Sequence, residues 1–217
     1  NEKVNFSVPT GNFGDVYAGY LSKKMGLPID KLIVATNQND ILHRAISNGQ
    51  YKAHSVVETL SPSMDIQVAS NFERLIYDIN DQNTDKTSKI MQSIKNEKKY
   101  LIEEKELKKI RKDFVSETIS EQELLSCIKK AYENYKIIID PHTAVGLGAL
   151  EKINLVGKSV VLSTAHPCKF PEAIKKAINI KSELPDNLNY ILSKKENFIV
   201  INNDIEEVKK YILNKLI

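Results

Sequence analysis

The strongest constraint on the fold is where glycine and proline are missing. Neither residue occurs between Pro62 and Pro141, whereas five of the eight glycines fall in the first 49 residues. A long stretch without breakers, dense in charge, reads as helical. Residues 81–136 carry 13 Lys/Arg and 11 Asp/Glu. Their sparse apolar positions, Ile90, Ile94, Leu101, Leu107, Ile110 and Phe114, recur at roughly helical spacing. The pattern predicts two or three amphipathic helices on the outside of something else, with the charges forming a solvated face. A partner-binding helical lobe is the alternative reading of the same stretch.

On either side the texture changes. Residues 5–9 make a brief strand, followed by a glycine-containing turn at 10–15 and a helix over about 15–25. That helix stops at Gly26-Leu27-Pro28, a common C-terminal signal. Residues 31–36, KLIVAT, form a near-continuous apolar strand, as expected of a parallel sheet buried on both faces. A helix over 40–47 stops at Asn48-Gly49. After the charged stretch come a strand at 136–140, a helix through 144–153, a strand at 158–163 and a helix over 171–180. One more apolar run at 198–201 precedes an amphipathic helix over 205–216. Strand–helix alternation with buried apolar strands argues an α/β fold on a parallel sheet. The expected division is an α/β part over 1–78, a helical insertion over 79–136, and a return of the α/β domain with a tail over 137–217.

Composition narrows the function classes. A chain of 217 residues, 41% apolar, can bury a full core as one domain or one domain and a small lobe. Net charge is +3, and only Arg44, Arg74 and Arg111 of the 31 basic residues are arginine. Nucleic-acid readers favour the guanidinium fork, so no nucleic-acid or anionic-membrane partner is expected. No apolar run approaches the roughly 20 residues that span a bilayer, and residues 1–5 carry no signal-peptide pattern. Cys127 and Cys168 match no metal or redox spacing, which fits a reducing cytosol, so a cytoplasmic location is the expectation. The sequence opens on Asn1 rather than Met, and the reading is of a processed or cut chain.

The strongest local signal for chemistry is VPTGNFGDVYAGYLSKKMG, residues 8–26. A strand ends, a loop with two glycines follows, and a helix begins at once. This geometry aims backbone N–H groups and the positive end of the helix dipole at one spot, where phosphate oxygens bind well. Gly11 and Gly14 permit close backbone approach, and Thr10 and Asn12 can add side-chain hydrogen bonds. The loop lacks the Lys-Ser/Thr of a nucleotide P-loop and is not spaced GxGxxG, so a single phosphate ester fits better than a triphosphate or dinucleotide. A mere tight strand-to-helix turn remains the competing account. Asp15 in the first helical turn complements the dipole, and its carboxylate is expected to turn aside or bond loop N–H groups.

A second signal is the pair DPHTAVG, 140–146, and STAHPCKF, 163–170, each expected at the carboxyl end of a strand. His142 and His166 have no HxH or HxxxH spacing and no third ligand, so no metal is expected. General acid–base use of a histidine competes with a hydrogen-bonded structural role, and the structural role is favoured. Cys168 lacks a placed base and reads as packing, while Glu73 and Arg74 read as surface charges.

VPTGNFGDVYAGYLSKKMGLP, KLIVATNQNDIL, SPSMDIQVASNFERL, DPHTAVGLGALEK and STAHPCKFPEAIKKAI together resemble the threonine synthase family, in the family's order and over about residues 6–180. Such enzymes use pyridoxal 5′-phosphate on fold type II and convert O-phosphohomoserine and water to threonine and phosphate. The resemblance implies a partial doubly wound parallel sheet with a charged helical insertion. It also implies that Gly11, Asn12, Phe13, Gly14 and Asp15 grip the cofactor phosphate. Thr164 of the TAHP motif is implied to hydrogen-bond the pyridine nitrogen, a neutral partner that tempers the ring as an electron sink.

The resemblance begins at the phosphate loop, and family members carry an amino-terminal half before it. That half supplies the Schiff-base lysine and most groups that hold the substrate phosphate. None of the 28 lysines here stands in a matching context, so no catalytic lysine is expected among these residues, and they are expected to be inactive alone. Two classes of reading follow. One is the carboxyl-terminal half of a threonine synthase, as a split subunit, a processed product or a truncated chain. The other is a degenerate or repurposed fragment that serves binding or interaction. Retention of both motifs favours the first. An open sheet edge and uncovered apolar surface then predict binding of an amino-terminal half or self-association.

Overall fold

The computed structural model describes residues 2–216. Two compact units are present, one ending at Ser182 and the other beginning at Glu183. The first opens with β1 (Val4–Pro9), α1 (Gly14–Lys24), β2 (Ile29–Thr36), α2 (Ile41–Asn48) and β3 (Gln50–Lys52). After an extended segment and a 3-10 turn at Pro62–Met64 come α3 (Phe72–Ile79), α4 (Thr84–Glu97), β4 (Lys99–Leu101) and α5 (Glu104–Asp113). Then follow β5 (Phe114–Thr118), α6 (Glu121–Tyr135), α7 (Pro141–Ile153), β6 (Lys158–Val161) and α8 (Pro171–Ile178). The second unit holds a 3-10 segment at Asp186–Ser193 and α9 (Ile205–Leu216), whose Ile205, Ile212 and Leu216 are exposed.

The main sheet has four parallel strands in the order β5-β2-β1-β6. Leu32, Ile33, Val34 and Ala35 of β2 are all 0% exposed, which only a strand covered on both faces can achieve. Period-two alternation deals these residues to separate cores. Leu32 and Val34 join Phe13, Val16, Ile41, Leu75 and Phe114 on one side. Ile33 and Ala35 join Ile119, Leu124, Ile128, Ala144 and Val145 on the other. The result is a three-layer sandwich whose sheet is central, as the apolar strand at 31–36 predicts.

The charged stretch departs from its expected exterior role. It supplies α4, α5 and α6, but also β5, which pairs with β2 in register Leu32↔Phe114 and Thr36↔Thr118. Ile90, Ile94, Leu107, Ile110 and Phe114 are buried in the first core, while Leu101 in β4 is 69% exposed. Residues 136–140 form no strand. Lys136 closes α6 in a left-handed conformation (φ 57°) and Asp140 caps α7, so the segment is a connection between two helices. The apolar run at 198–201 also lies outside any regular element.

Strand order reverses between β1 and β6. The chain moves from β1 outward through β2 to the β5 edge, then returns to pair β6 with the free side of β1. In open parallel sheets that reversal leaves a crevice outside the carboxyl ends of the two strands, where ligands are held.

Candidate functional site

The loop leaving β1 supplies one wall of the crevice. Phe13 is the residue before α1 and adopts the left-handed region at φ 67°, a position with no side-chain cap. Its ring is wholly buried against Phe72 and Phe114, at centroid distances of 5.3 and 5.7 Å. The ring therefore anchors the loop from below and leaves Phe13 only its amide to offer a ligand. Among the described residues, the N–H groups of residues 11–16 have no acceptor. Initial helical amides of this kind, with the positive end of the helix dipole, form an anion site. Residues 9–16 line a pocket of about 210 Å³.

Neighbouring residues hold the loop in shape. Thr10 is buried; its N–H donates to the Ala35 carbonyl at 2.8 Å and its hydroxyl to the Val8 carbonyl at 2.6 Å. Its side chain is thus committed to the loop itself. The Asn12 carbonyl accepts the backbone N–H and the side-chain amide of Asn71, both at 3.0 Å. Gly11 is sterically required, since a Cβ there would lie 2.6 Å from the Ser63 carbonyl oxygen. Gly14 has more room, with only the Asn71 amide at 3.5 Å from such a Cβ. Asp15 is exposed, and among the described residues its carboxylate accepts no hydrogen bond, so it turns aside rather than bonding the loop amides.

The second wall follows β6. Ser7 pairs with Val161, and the Leu162 N–H donates to the Ser7 carbonyl at 3.0 Å, which sets the two strand ends side by side. Thr164 is exposed, and its backbone N–H donates to Thr143 Oγ1 at 3.3 Å. Gly11, Asn12 and Phe13 on the loop after β1, Gly14 and Asp15 at the start of α1, and Thr164 on the segment after β6 therefore follow adjacent strand ends. His166 and Cys168 belong to the same segment, and the Cys168 N–H donates to His166 Nδ1 at 3.2 Å. Glu73 and Arg74 are exposed on α3.

Beneath the two walls lies the start of α7. Asp140 is 1% exposed and caps the helix, accepting the His142 N–H at 2.9 Å. Its Oδ1 also lies 3.0 Å from His142 Nδ1, and its Oδ2 accepts the Thr143 hydroxyl. Burial alone would push the Asp140 carboxyl up, but the His142 and Thr143 hydrogen bonds outweigh it and hold it below the usual carboxylate range. His142 is buried, with a hydrogen-bonded structural placement. Gly146 lets α7 sit close: a Cβ there would lie 3.1 Å from Pro9 Cγ and from Val161 Cγ1.

A polar network at the end of β2 is absent from the sequence reading. The Asn37 side-chain amide lies 2.8 Å from Thr59 Oγ1, 3.0 Å from Ser61 Oγ and 2.8 Å from Asp65 Oδ1. Asn37 Oδ1 accepts the Asn39 N–H at 2.9 Å. This network ties the segment before Met64 to the carboxyl edge of the sheet. The buried polar cluster follows a run of four buried apolar residues, and that abrupt change was the available signal. Among the described residues no buried side-chain polar atom lacks a partner, no cluster of His, Cys, Asp or Glu is placed to share a metal ion, and no helix is long and apolar enough to cross a membrane.

The free amides and the small pocket of residues 9–16 have the chemistry of an anion site, and Thr164 lies on the segment that leaves the neighbouring strand. Comparison with known proteins is consistent with that arrangement. Residues 143–212 match the family model described as threonine synthase, C-terminal. A threonine synthase of Pseudomonas aeruginosa is 41% identical over 215 residues, covering 98% of this chain and 46% of the relative. The crystal structure of PLP-bound threonine synthase from Brucella melitensis superposes with a TM-score of 0.91 at 41% identity, covering 98% of this chain and 46% of that one. Yeast threonine synthase superposes with a TM-score of 0.87 at 38% identity, over 99% of this chain and 47% of that one. The chain spans about half the length of the relatives it matches. With its fold-type II sheet and both motif loops in place, the chain belongs to the threonine synthase family and corresponds to a carboxyl-terminal portion of its members.

Proposed function

We propose that this chain is the carboxyl-terminal part of a threonine synthase, a pyridoxal 5′-phosphate enzyme that converts O-phosphohomoserine and water to threonine and phosphate. The observation that carries the reading is the pairing of β1 with β6, from whose adjacent ends the phosphate loop and the Thr164 segment depart. When bound, the cofactor supplies an electron sink for the substrate carbon framework. This chain's residues hold and orient it.

The amides of Gly11, Asn12, Phe13, Gly14 and Asp15 would hold the cofactor phosphate, since they have no acceptor among the described residues. Each hydrogen bond to a charged group contributes about 1.5–3 kcal/mol. The Thr164 hydroxyl would be the neutral hydrogen-bond partner of the ring nitrogen, and it would not stabilise a proton there as a carboxylate would. Asp15 complements the dipole of α1 without entering the anion site.

Proton transfer at the substrate requires a lysine in the Schiff-base context, and none of the 28 lysines here has that context. These 217 residues alone therefore bind without turnover and act with an amino-terminal half in a cytoplasmic enzyme. The edge strand β6, whose Val160 is 42% exposed, suits either that half or self-association.

The test mixes the chain with the amino-terminal half of a relative, adds pyridoxal 5′-phosphate and O-phosphohomoserine, and follows phosphate release. Release is expected from the mixture and not from either part. A mixture that neither binds the cofactor nor releases phosphate sinks the proposal; release by this chain alone sinks its inactivity.

A further inference from the structure

We infer that Asp140, His142 and Thr143 form a positioning unit that fixes the phosphate loop and the Thr164 segment relative to one another. The inference rests on the proposed function only in naming the cofactor these loops hold. The hydrogen-bond geometry that carries it is independent of any ligand.

The first arm runs toward the phosphate loop. His142 Nε2 accepts the Ser63 N–H at 3.2 Å, and a ring nitrogen can accept only when it carries no proton. The ring proton then sits on Nδ1, from which it donates to Asp140 Oδ1 at 3.0 Å. Asp140 thus selects the tautomer that can hold Ser63. The Ser63 carbonyl in turn occupies the space that a Cβ at Gly11 would need, at 2.6 Å. Ser63 therefore presses directly on the loop that bears the free amides.

The second arm runs toward Thr164. Asp140 Oδ2 accepts the Thr143 hydroxyl, which leaves that oxygen free to accept the Thr164 N–H at 3.3 Å. The His142 ring also packs on Phe170 of the same segment, at a centroid distance of 4.7 Å. One buried carboxylate thus orients both arms, and each arm ends on a different wall of the crevice.

A simple packing role for these residues would not produce selective effects on the two loops. Amide hydrogen exchange in the unliganded chain separates the cases. His142→Leu removes the acceptor for Ser63, and Ser63 exchange is expected to rise about tenfold while Val34 in β2 stays protected. His142→Gln, whose amide oxygen can accept the same N–H, is expected to restore most of that protection. Thr143→Val keeps the shape and removes the acceptor for Thr164, so Thr164 exchange rises by a similar factor. Pyridoxal 5′-phosphate affinity should fall about tenfold in both His142→Leu and Thr143→Val, with His142→Gln nearer the parent. Equal exchange at Ser63 and Thr164 in parent and variants, with Val34 protected throughout, overturns the inference. Altered exchange with unchanged cofactor affinity also overturns it, while leaving the proposed function standing. Failure of the parent chain to bind the cofactor, with or without an amino-terminal half, counts against the proposed function instead, and the exchange measurements still decide whether the unit positions the two loops.

Discussion

The ring of Phe13 meets the ring of Phe72 edge-on, with centroids 5.3 Å apart and planes at 86°. A loop residue before a helix is thereby fastened to α3, whose capping residue Asn71 also donates to the Asn12 carbonyl of the same loop. Phe13 holds a left-handed backbone (φ 67°) that bulky residues avoid, and the buried ring stabilises it. Phe13→Ala is expected to destabilise the fold by about 3–5 kcal/mol, because it opens a cavity and keeps the backbone strain. Phe13→Gly relieves the strain but not the cavity. Urea unfolding should order the three as parent, then Gly at or above Ala; an Ala variant as stable as the parent removes the anchoring role.

The two loop glycines differ in kind. Gly11→Ala drives a methyl against the Ser63 carbonyl, a backbone atom that cannot swing away, whereas Gly14→Ala meets only a side-chain amide at 3.5 Å. Gly11→Ala is expected to cost about 1–3 kcal/mol and to weaken binding of pyridoxal 5′-phosphate. Gly14→Ala should unfold within about 0.5 kcal/mol of the parent. Thermal unfolding and cofactor titration of both variants check the contrast, and equal penalties contradict it.

Glu106 is a wholly buried carboxylate held by Lys86 Nζ and the Tyr100 hydroxyl, each at 2.6 Å, and by the Glu103 N–H at 3.1 Å. Burial would raise its pKa, but these hydrogen bonds outweigh burial and lower it. A lowered folded-state pKa gives stability that is present above the ordinary carboxylate range and lost as pH falls through the folded value. Glu106→Gln is therefore expected to cost about 1–3 kcal/mol at neutral pH, with the gap to the parent closing in acid. Urea midpoints across pH check this; a gap that widens in acid contradicts the sign.

Tyr17 behaves in the opposite sense. Burial, then its hydrogen bond to Asp78 Oδ2 at 3.0 Å, pushes the phenol up to about 12. A raised phenol pKa gives stability that is full below its ordinary value of 10.0 and lost as pH climbs through about 12. Phenolate absorbance should show a late-titrating group that disappears in Tyr17→Phe, and that variant should lose about 1 kcal/mol at neutral pH. An unchanged alkaline titration in Tyr17→Phe excludes the assignment.

Much of the fold was legible where period and punctuation agreed. The run KLIVAT announced a doubly covered strand, and Gly26-Leu27-Pro28 and Gly49 marked two helix ends near where they fall. Residues 114–118, FVSET, hid β5 because an edge strand needs few apolar residues and this one lies between charged helices. Residues 136–140, KIIID, misled in the opposite direction: three isoleucines in a row resemble a strand, but Asp140 serves α7 as its cap. At the site, the glycine loop and TAHP were legible as motifs. The Asp140–His142–Ser63 chain was not, because it joins residues 79 positions apart through a backbone N–H that no side-chain pattern encodes.

The pairing of β1 with β6 also sets a timetable for synthesis. Asn5 waits for Ser159, 154 positions later, before the sheet between them can close. At about 5–20 residues per second on the ribosome, the delay is roughly 10–30 s. Throughout that interval one edge of β1 stays unpaired, and until α7 emerges shortly before β6 the side of the sheet that it will cover is bare. Unpaired strand edges and bare apolar faces make such species aggregation-prone, and a pairing between residues so distant in sequence closes slowly. The strand pairing that brings the two loops together thus also leaves the emerging polypeptide vulnerable for longest at the strand from which the glycine loop departs.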